Sequence, residues 1–413
     1  PEATERTSFM YNSILCRYNE IATKGANRSM FENALIRNIR RLCREACPDV
    51  AVEKIRGRIF MHKKGFAPFS EEERADVAEA LGYCFGLDSF SFCREGERSM
   101  ESVEAMLREE IPALFAARTA PGRPTRFRIR ARRSDKSFPL RSKEIEIAAA
   151  SIVEEIVGRD RIQVDLDDPD VSIGIEVRER NSWIFPDSVR APGGLPVGCN
   201  SPLLALLSGG IDSPVACVMQ MQRGCAMDYL TFHSHPYTPM ESVDKVRRLA
   251  EILNRWQPMR GTLFACNISE IQKLIRDHCD PRARTILYRR MMMRIAARLC
   301  ARRKLAAIVT GESVGQVASQ TVANMSVIDR SVPTLILRPL SGMDKNETIL
   351  RARKLGTFET SIEPMIDSCT VFAPDSPMTQ ARLDVIEREE AKIPDLETAL
   401  SNAFETMETV LKR

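Results

Sequence analysis

The sequence predicts an α/β protein in which two small α+β domains precede a doubly wound parallel sheet. Three observations lead to this prediction. The chain has 413 residues, more than one ordinary hydrophobic core accommodates. Its N-terminal part alternates short strand-like and helical segments, whereas from Leu203 onward continuously apolar strands alternate with helices. With 44% hydrophobic and 28% charged residues, its composition is that of a globular protein.

The N-terminal stretch 1–93 carries a βαββαβ pattern. "SFMYNSILCRY" is strand-like, and Ser29 and Glu32 have the spacing of a capping box that opens the helical run "MFENALIRNIRRLC". "VAVEKIRGRIFMH" predicts two short strands broken at Gly57. A helix in "SEEERADVAEALGYC" and a strand in "SFSFC" complete the order, which is the ferredoxin-like split pattern.

Residues 94–190 predict a second domain with a helix, a strand in "RFRIRARR", another helix and two further strands. The stretch 191–200 has the proline- and glycine-rich composition of a linker. The third domain then covers 201–413. Its apolar strands, such as "LLALL" and "TLFACNI", are expected to be buried on both faces, as in a parallel sheet covered by helices. "SNAFETMETVLKR" predicts a terminal amphipathic helix.

Charge and cysteine content exclude several classes of protein. The formal net charge of +4 says little about partners by itself. No apolar stretch has the length of a membrane span, and "PEATERTSFMYNS" has neither the basic nor the apolar region of a signal peptide, so we expect a cytoplasmic protein without a membrane partner. The 12 cysteines are scattered and contain no C-x-x-C pair, and the 4 histidines form no ligand set. We therefore expect reduced thiols and no protein-built metal centre.

The segment "LLALLSGGIDSPVAC" predicts an anion-binding loop. An apolar strand stops at Gly209 and Gly210, which permit positive φ and close approach of the backbone, and a helix is expected to begin near Pro214. Successive N–H groups and the helix dipole then favour phosphate. The spacing is neither Walker A nor G-x-G-x-x-G. Asp212 would repel pyrophosphate unless a Mg²⁺ ion lies between them, so it is assigned to metal and pyrophosphate handling. The alternative is a glycine turn with an aspartate cap.

This strand, SGGxDS, helix arrangement resembles the PP-loop of ATP pyrophosphatases. Together with "LTFHSHPYT", "LYRRMMMRIAARL", "TGESVGQVASQTVANMSVID", "LILRPLSGMDKNETI" and "SCTVF", it is similar to the tRNA 4-thiouridine synthetase family over nearly the whole chain. In that family a ferredoxin-like domain and an RNA-binding THUMP domain precede the PP-loop domain. The resemblance implies that 94–190 is a THUMP domain and that the enzyme forms 4-thiouridine at position 8 of tRNA.

The resemblance further implies the chemistry and the nucleotide site. The uridine O4 is adenylated with release of pyrophosphate, and sulfur from a protein persulfide then displaces AMP. Thr231 stands where the family often has histidine, so a backbone contact is expected there. The positions implied for ATP are Leu206, Leu207, Ser208, Gly209, Gly210, Asp212, Ser213, Thr231, Phe232, Arg289, Gly311 and Gln320.

Two further catalytic residues follow from the same resemblance. Lys345 matches a lysine that the family needs for catalysis, and a cation suits a developing pyrophosphate. Without the resemblance it reads as a solvated lysine at a helix start. Cys369, in "IDSCTVF", matches a cysteine that takes part in sulfur transfer, a role that requires thiolate character.

The sulfur route has two alternatives. Longer family members carry a rhodanese domain with the persulfide cysteine, and the chain is expected to be a short form without it. Either a cysteine desulfurase or another persulfide donor loads Cys369 directly, or a second cysteine takes part, the candidates being Cys199, Cys225 and Cys266. The resemblance also implies a homodimer in which one subunit binds the acceptor stem and the other modifies it.

The strand "RFRIRARR" predicts an RNA-binding face. Side chains alternate along a strand, so its arginines share one face and its apolar residues the other. The alternative is an edge strand guarded by charge. We favour contact with phosphate and recognition of RNA shape. The residues assigned to RNA are Arg126, Arg128, Arg130, Arg132, Arg133, Lys136, Arg141 and Lys143.

Other functions remain open at this point. Another PP-loop tRNA-modifying enzyme, such as a 2-thiolation enzyme, usually carries C-x-x-C or different flanking domains. A THUMP-linked methyltransferase predicts a glycine loop for S-adenosylmethionine, which we do not find. A catalytically silent tRNA-binding protein would have no need of Asp212, Lys345 and Cys369.

Overall fold

The computed structural model describes residues 9–118, 122–365 and 371–412. These residues form two compact units, divided between Gly194 and Leu195. In the described part of the chain, every helix is too short or too polar to cross a membrane.

The N-terminal unit is built on a nine-stranded sheet with the order β2-β3-β1-β4-β8-β7-β5-β6, and β9 pairs beside β4. Its elements are β1 (Ser13–Arg17), α1 (Arg28–Leu42), β2 (Val50–Ile55), β3 (Arg58–Lys63), α2 (Glu71–Gly82), β4 (Ser89–Glu97), α3 (Met100–Arg118), β5 (Thr125–Arg133), α4 (Ser142–Val157), β6 (Ile162–Val164), β7 (Val171–Val177), β8 (Asn181–Phe185) and β9 (Val189–Arg190).

The first half of this unit confirms the ferredoxin-like order. β1 lies between β3 and β4 and is antiparallel to both, and β2 pairs with β3. The two strands β2 and β3 break at Gly57, which has φ of 76°. Leu35 and Ile39 of α1 and Leu81 of α2 are buried beneath this sheet with Ile14. Burial of these apolar faces holds the helices to the sheet.

The capping box predicted at Ser29 is wrong. α1 begins at Arg28 after Asn27, and no side chain caps it. Glu32 is buried and instead accepts hydrogen bonds from Tyr18 and Arg28, because a buried carboxylate needs partners of this kind. The capping box of this half lies at Ser70, where α2 starts.

β4 joins the two halves of the N-terminal unit. Phe92 of this strand pairs with Ile14 of β1, and Arg94 pairs with Ile184 of β8. The boundary expected after residue 93 therefore falls within a strand that both halves share. The second half has the predicted helix, strand, helix and two strands, with α3 and α4 packed on β5 and β7. The strand β6 was not predicted, because a run of three residues is too short to give a strand pattern in the sequence.

The C-terminal unit has a six-stranded sheet with the order β14-β13-β10-β11-β12-β15. Its elements are β10 (Leu195–Leu206), α5 (Asp212–Met221), β11 (Arg223–His233), α6 (Glu241–Asn254), β12 (Leu263–Asn267), α7 (Ser269–His278), α8 (Arg284–Arg303), β13 (Ala307–Val309), α9 (Val322–Asp329), β14 (Leu335–Leu337), α10 (Lys345–Leu355), α11 (Phe358–Ile362), α12 (Leu383–Glu390), α13 (Leu396–Glu405) and β15 (Glu408–Leu411).

The strand order confirms a doubly wound parallel sheet. β10 pairs in parallel with both β11 and β13, and the parallel run continues to β12 on one side and β14 on the other. The chain moves outward from β10 through β11 to β12 and then returns to β13. The strand order therefore reverses between β10 and β13. Ligands of open α/β sheets bind at such a point, beyond the carboxyl ends of the strands.

Two local expectations differ from the structure. β10 already begins at Leu195, inside the stretch 191–200 with a linker composition, and its register is irregular before Leu203. The terminal helix is wrong beyond Glu405, because Glu408–Leu411 forms β15 antiparallel to β12. A strand there pairs the backbone groups that β12 would otherwise leave open at the sheet edge.

Candidate functional site

A cavity of about 480 Å³ opens where the strand order reverses in the C-terminal unit. Its walls come from the carboxyl ends of β10 and β11, from the loops that follow β10 and β13, and from α6 and α8. All the positions that the sequence assigned to a nucleotide lie in its lining: Leu206, Leu207, Ser208, Gly209, Gly210, Asp212, Ser213, Thr231, Phe232, Arg289, Gly311 and Gln320. Their contact with a nucleotide stays a prediction.

The loop between β10 and α5 closes on itself through serine hydroxyls. The Ser213 Oγ accepts a hydrogen bond from the Ser208 N–H at 2.9 Å and lies 3.1 Å from the Ser208 Oγ. The Gly210 N–H donates to the Ser208 Oγ at 3.3 Å. α5 begins at Asp212, two residues before Pro214, so its first turn faces the cavity. The N–H groups of Ser208 and Gly210 are thus engaged within the loop, and the first turn of α5 offers an anion its N–H groups and the positive end of the helix dipole.

The role expected for the loop glycines needs a correction. The described glycines with positive φ do not include Gly209 or Gly210. A Cβ on Gly209 would instead stand 3.3 Å from the Lys245 Cδ. Gly209 therefore allows close packing against the Lys245 side chain, and its backbone does not adopt a positive φ.

Asp212 and Lys345 form an ion pair beside this loop. The Lys345 Nζ lies 2.7 and 2.9 Å from the two carboxylate oxygens, and the Gln316 Nε2 donates to the same carboxylate at 2.8 Å. Lys345 is the first residue of α10, and Asp344 caps that helix by accepting from the Asn346 N–H at 2.7 Å. The cap fixes the helix start and so aims the lysine at Asp212. The sequence did not identify Gln316.

Gly311 joins the loop after β13 to the loop after β10. A Cβ on this residue would lie 2.6 Å from the Ser213 N and 2.8 Å from the Asp212 carbonyl carbon. Any side chain would therefore push the two loops apart. Close packing of the two backbones therefore requires a glycine at this position.

Arg289 is held by a buried carboxylate that the sequence did not identify. Glu312 is 3% exposed and accepts hydrogen bonds from Arg289 Nη1 at 2.5 Å, Arg338 Nε at 2.7 Å and Thr310 Oγ1 at 3.0 Å. Burial lowers the pKa of Arg338, but Asp329 and Glu312 raise it further, so its pKa ends above its usual value. Arg338 also pairs with Asp329, so the two arginines face two carboxylates, and the result is an Arg289 guanidinium fixed in the wall of the cavity.

Cys369 lies outside the described residues, and the structure places the other candidate thiols away from the cavity lining. Cys199 precedes Leu206 by seven residues on β10, which corresponds to about 23 Å of strand. Burial raises the pKa of Cys225 to about 11 and that of Cys266 to about 12. The Cys266 Sγ lies 3.3 Å from the Ala403 carbonyl oxygen. None of these three sites favours a reactive thiolate at the cavity.

The arginines of β5 alternate with buried residues as expected. Phe127, Ile129 and Ala131 are buried, whereas Arg130 and Arg132 are exposed. β5 pairs with β7 over residues 127–133, whereas β6 pairs only with residues 125–127 on the other side. The alternative of a charged edge strand therefore stays open for the stretch that holds Arg128, Arg130 and Arg132.

The basic residues of this region differ in their internal pairing. Arg126 forms ion pairs with Asp168 at 2.8 Å and Asp170 at 3.2 Å, and Arg128 donates to the Ser172 Oγ. The side chains of Arg130 and Arg132 form no hydrogen bond or ion pair with the described part of the chain.

Some of the remaining predicted RNA-binding residues also make contacts within the chain. Arg133 donates to the Phe138 carbonyl at 2.9 Å, Arg141 precedes α4, and Lys143 lies 3.3 Å from Glu146. Lys136 is exposed. Contact of this set with RNA stays a prediction.

A buried carboxylate organises further arginines of the N-terminal unit. Glu176 on β7 is 2% exposed and accepts from Arg178 Nε at 2.7 Å. Arg58 Nε lies 3.1 Å and Arg17 Nε 3.8 Å from its oxygens. Burial lowers the pKa of Arg58 while Glu176 opposes that shift. These arginines come from β1, β3 and the end of β7, so no sequence pattern links them.

Three protein families match consecutive parts of the chain. Residues 13–91 match the ThiI ferredoxin-like domain and residues 97–187 match the THUMP domain. Residues 198–394 match the family described as "Thiamine biosynthesis protein (ThiI)". The ferredoxin-like and THUMP matches fall within the N-terminal unit, and the third match falls within the C-terminal unit.

Curated relatives match over nearly the full chain. A "Probable tRNA sulfurtransferase" of Alkaliphilus oremlandii (strain OhILAs) is 38% identical over 399 residues, covering 97% of this chain and 98% of the relative. A "Probable tRNA sulfurtransferase" of Coxiella burnetii (strain RSA 493 / Nine Mile phase I) is 37% identical over 405 residues, covering 97% and 99%.

Solved structures agree with these relatives. A protein described as "Crystal structure of a 4-thiouridine synthetase - RNA complex with bound ATP" has a TM-score of 0.85 and 32% identity, covering 98% of this chain and 100% of that chain. PH1313 from Pyrococcus horikoshii Ot3 has a TM-score of 0.62 and 23% identity over 84% of this chain and 99% of its own, which supports the fold alone. The chain therefore belongs to the tRNA sulfurtransferase family.

Proposed function

We propose that this protein catalyses the ATP-dependent conversion of uridine 8 of tRNA to 4-thiouridine. The observation that carries the proposal is the convergence, at one cavity, of the loop 208–213, Gly311 and Arg289, with the Asp212–Lys345 pair beside it. The family membership supports the same activity, since the matching solved structure is of a 4-thiouridine synthetase with RNA and ATP.

The first step forms a bond between the uridine O4 and the α-phosphorus of ATP, and the bond from that phosphorus to pyrophosphate breaks. The loop 208–213 and the N–H groups of the first turn of α5 hold the phosphates. Lys345 neutralises the charge that develops on pyrophosphate, and Asp212 orients the lysine. Arg289, fixed by Glu312, adds positive charge on the cavity wall.

Mg²⁺ fits the site as an ion carried by the nucleotide. The described residues contain no group of three His, Cys, Asp or Glu side chains that could hold a metal alone. Asp212 is the carboxylate at the loop, and Mg²⁺ is commonly bound by one carboxylate together with substrate phosphates. When bound, the ion would reduce the repulsion between Asp212 and pyrophosphate.

The second step transfers sulfur. The terminal sulfur of a persulfide on Cys369 attacks C4 of the adenylated base, and AMP leaves with the O4 oxygen. A second thiol must then cleave the S–S bond, so it is oxidised to a disulfide with Cys369 while the thiouridine is released. Cys199, Cys225 and Cys266 do not line the cavity, which favours a thiol supplied from outside the chain. A cysteine desulfurase, or another persulfide donor, would load Cys369.

The N-terminal unit provides the tRNA-binding surface in this proposal. Arg130 and Arg132 are exposed and available for phosphate. Contacts of this kind recognise the shape of a folded RNA more than its sequence. We further propose a homodimer, in which one subunit holds the acceptor stem of the tRNA that the other modifies.

The test is thiouridine formation from defined components. Unmodified tRNA is incubated with the protein, Mg-ATP, cysteine and a cysteine desulfurase, and the digested RNA is analysed by mass spectrometry. We expect 4-thiouridine from the wild type and its loss in Asp212→Ala and in Cys369→Ser. Pyrophosphate release should survive in Cys369→Ser, because adenylation precedes sulfur transfer, and should fail in Asp212→Ala.

Three other outcomes would contradict parts of the proposal. Thiouridine made by Cys369→Ser would move the sulfur chemistry to another cysteine. A sulfur substituent found at C2 of the base would indicate a 2-thiolation enzyme. Absence of any thiolated base from tRNA that is still bound would favour a silent tRNA-binding protein.

A further inference from the structure

Lys245 is a buried cation in the wall of the cavity. It lies on α6, is 3% exposed, and packs its aliphatic stem against the loop at Gly209. Its Nζ stands 3.6 Å from the position that a Cβ would take on Gly209. A buried ammonium is costly without hydrogen bonds, so its partners show what it holds in place.

Two partners of Lys245 are backbone carbonyls at the end of α11. The Nζ donates to the Ser361 carbonyl at 2.9 Å and to the Glu363 carbonyl at 2.7 Å. Both of these residues, and Met365 after them, line the same cavity. A single side chain therefore connects the proposed phosphate-binding loop to the segment 361–365.

Arg248 adds a second attachment from the same helix. Its Nη1 and Nη2 donate to the two carboxylate oxygens of Glu363 at 2.8 and 2.5 Å. The same pair holds the pKa of Glu363 below its usual range. Lys245 fixes the backbone of the segment and Arg248 fixes a side chain, so the segment has a defined path where it enters the cavity wall.

The sequence connects this segment to the sulfur chemistry. Cys369 follows Met365 by four residues, a length of chain that spans at most about 14 Å. Order in 361–365 therefore limits where that cysteine can act. An anion bound at the loop 208–213 would also lie near the Lys245 ammonium. Attraction between the two charges would stabilise the lysine side chain in its present position.

We propose that Lys245 is a positioning residue that couples occupation of the loop 208–213 by nucleotide phosphates to the placement of the segment 361–365. The inference rests on the proposed function, since it assigns the coupled step to sulfur transfer from Cys369. Loss of the lysine charge then affects thiolation more than adenylation. Bound nucleotide loses its influence on the reactivity of Cys369 in the same variant.

The experiment compares Lys245→Met with wild type and with Arg247→Met. Methionine keeps the length and apolar stem of lysine without its charge, and Arg247 is a half-exposed residue of the same helix that pairs with Asp244 and Glu251. Two quantities are measured: the yield of 4-thiouridine per pyrophosphate released, and the rate of Cys369 alkylation by iodoacetamide with and without ATP, followed by mass spectrometry.

In Lys245→Met we expect the yield of thiouridine per pyrophosphate to fall about tenfold or more, because small displacements of reacting groups cost rates on that order. The effect of ATP on Cys369 alkylation should appear in wild type and Arg247→Met and disappear in Lys245→Met. If Lys245→Met does not fold, Arg248→Met decides the question, with a smaller effect expected in the same direction.

The failure of this inference differs from the failure of the proposed function. A wild type that forms no thiouridine overturns the proposed function and this inference with it. An active wild type whose yield per pyrophosphate and ATP-dependent alkylation are both retained in Lys245→Met overturns the coupling alone. A merely structural role would lower pyrophosphate release and thiouridine formation in parallel, which also contradicts the proposal.

Discussion

The two units present positive charge in different ways. In the N-terminal unit, arginines follow one another along β5 at alternate positions, and those at 130 and 132 remain exposed. In the C-terminal unit, the charged residues at and beside the cavity come from separate elements, and Lys345 meets Asp212 across 133 residues of sequence. The first arrangement suits a long polyanion that is bound by its backbone, and the second suits a small polyanion on which chemistry takes place.

This difference also appears in the use of carboxylates. Glu176 in the N-terminal unit and Glu312 in the C-terminal unit are both buried, and each holds more than one arginine. Glu176 gathers arginines within a sheet, whereas Glu312 fixes one residue of a cavity wall. Single substitutions should therefore have large effects in the C-terminal unit and graded effects in the N-terminal unit.

The largest effect is expected from Lys345→Met. We expect pyrophosphate release to fall by about 100- to 1000-fold, because a fixed electrostatic contact to a developing charge is worth that much. The measurement is single-turnover pyrophosphate release with tRNA and Mg-ATP. The control is Lys354→Met, an exposed lysine near the end of the same helix, which should retain the wild-type rate. A small decrease in pyrophosphate release in Lys345→Met would show that Lys345 is not catalytic, and the contrast between a catalytic and an RNA-binding unit would then lose its main support.

Gly311→Ala should have the next largest effect. The new Cβ would collide with the backbone of Asp212 and Ser213, and overpacking of this kind costs about 1–3 kcal/mol. We expect ATP affinity to weaken by about tenfold or more, since 1.4 kcal/mol is tenfold in a binding constant. Equilibrium binding of ATP measures it. Gly342→Ala is the control, because a Cβ there meets nothing within 4 Å. Equal affinities would show that the two loops can separate freely.

A smaller, graded effect is expected on β5. Arg130→Ala and Arg132→Ala should each weaken tRNA binding and reduce the slope of log affinity against log salt concentration by about 1, as for the loss of one phosphate contact. Arg126→Ala is the matched comparison, because its guanidinium already pairs with Asp168 and Asp170. Binding titrations at several salt concentrations measure the slopes. A larger loss of tRNA affinity in Arg126→Ala than in the other two variants would contradict the assignment of the exposed arginines to RNA binding.

The smallest effect concerns stability and pH in the N-terminal unit. Burial raises the pKa of Glu95 from 4.5 to about 7, with His62 and Asn181 opposing the shift. The folded protein therefore keeps this proton where the unfolded chain has lost it, and the resulting stability is lost as pH rises through about 7.

Glu95→Gln removes this dependence. Between about pH 5 and pH 8 the melting temperature of the wild type should fall relative to that of the variant. Thermal unfolding across this pH range measures the difference. Glu97→Gln, at an exposed position of the same strand, should follow the wild type. A difference between wild type and Glu95→Gln that stays constant across the range would show that this carboxyl is already ionised near neutral pH.

Local patterns predicted much of the fold. The βαββαβ order, the alternating faces of β5 and the strand, loop and helix around Ser208 all follow from residues that are neighbours in sequence. The errors arose where a local signal competed with a distant partner. Glu32 has capping-box spacing but is drawn into a buried ion pair, and Glu408–Leu411 becomes a strand because β12 offers it an edge.

The sequence by itself determined the local form of the proposed phosphate-binding loop, because an apolar strand, two glycines, an aspartate and a helix start are all encoded within about a dozen residues. Only the tertiary structure decided what surrounds it. Glu312 reaches Arg289 across 23 residues and Lys245 reaches Glu363 across 118, and no periodicity connects such pairs. Their meeting depends on the reversal of strand order between β10 and β13 and on the packing of helices around it. Side chains that hold other side chains in place acquire that role from the fold.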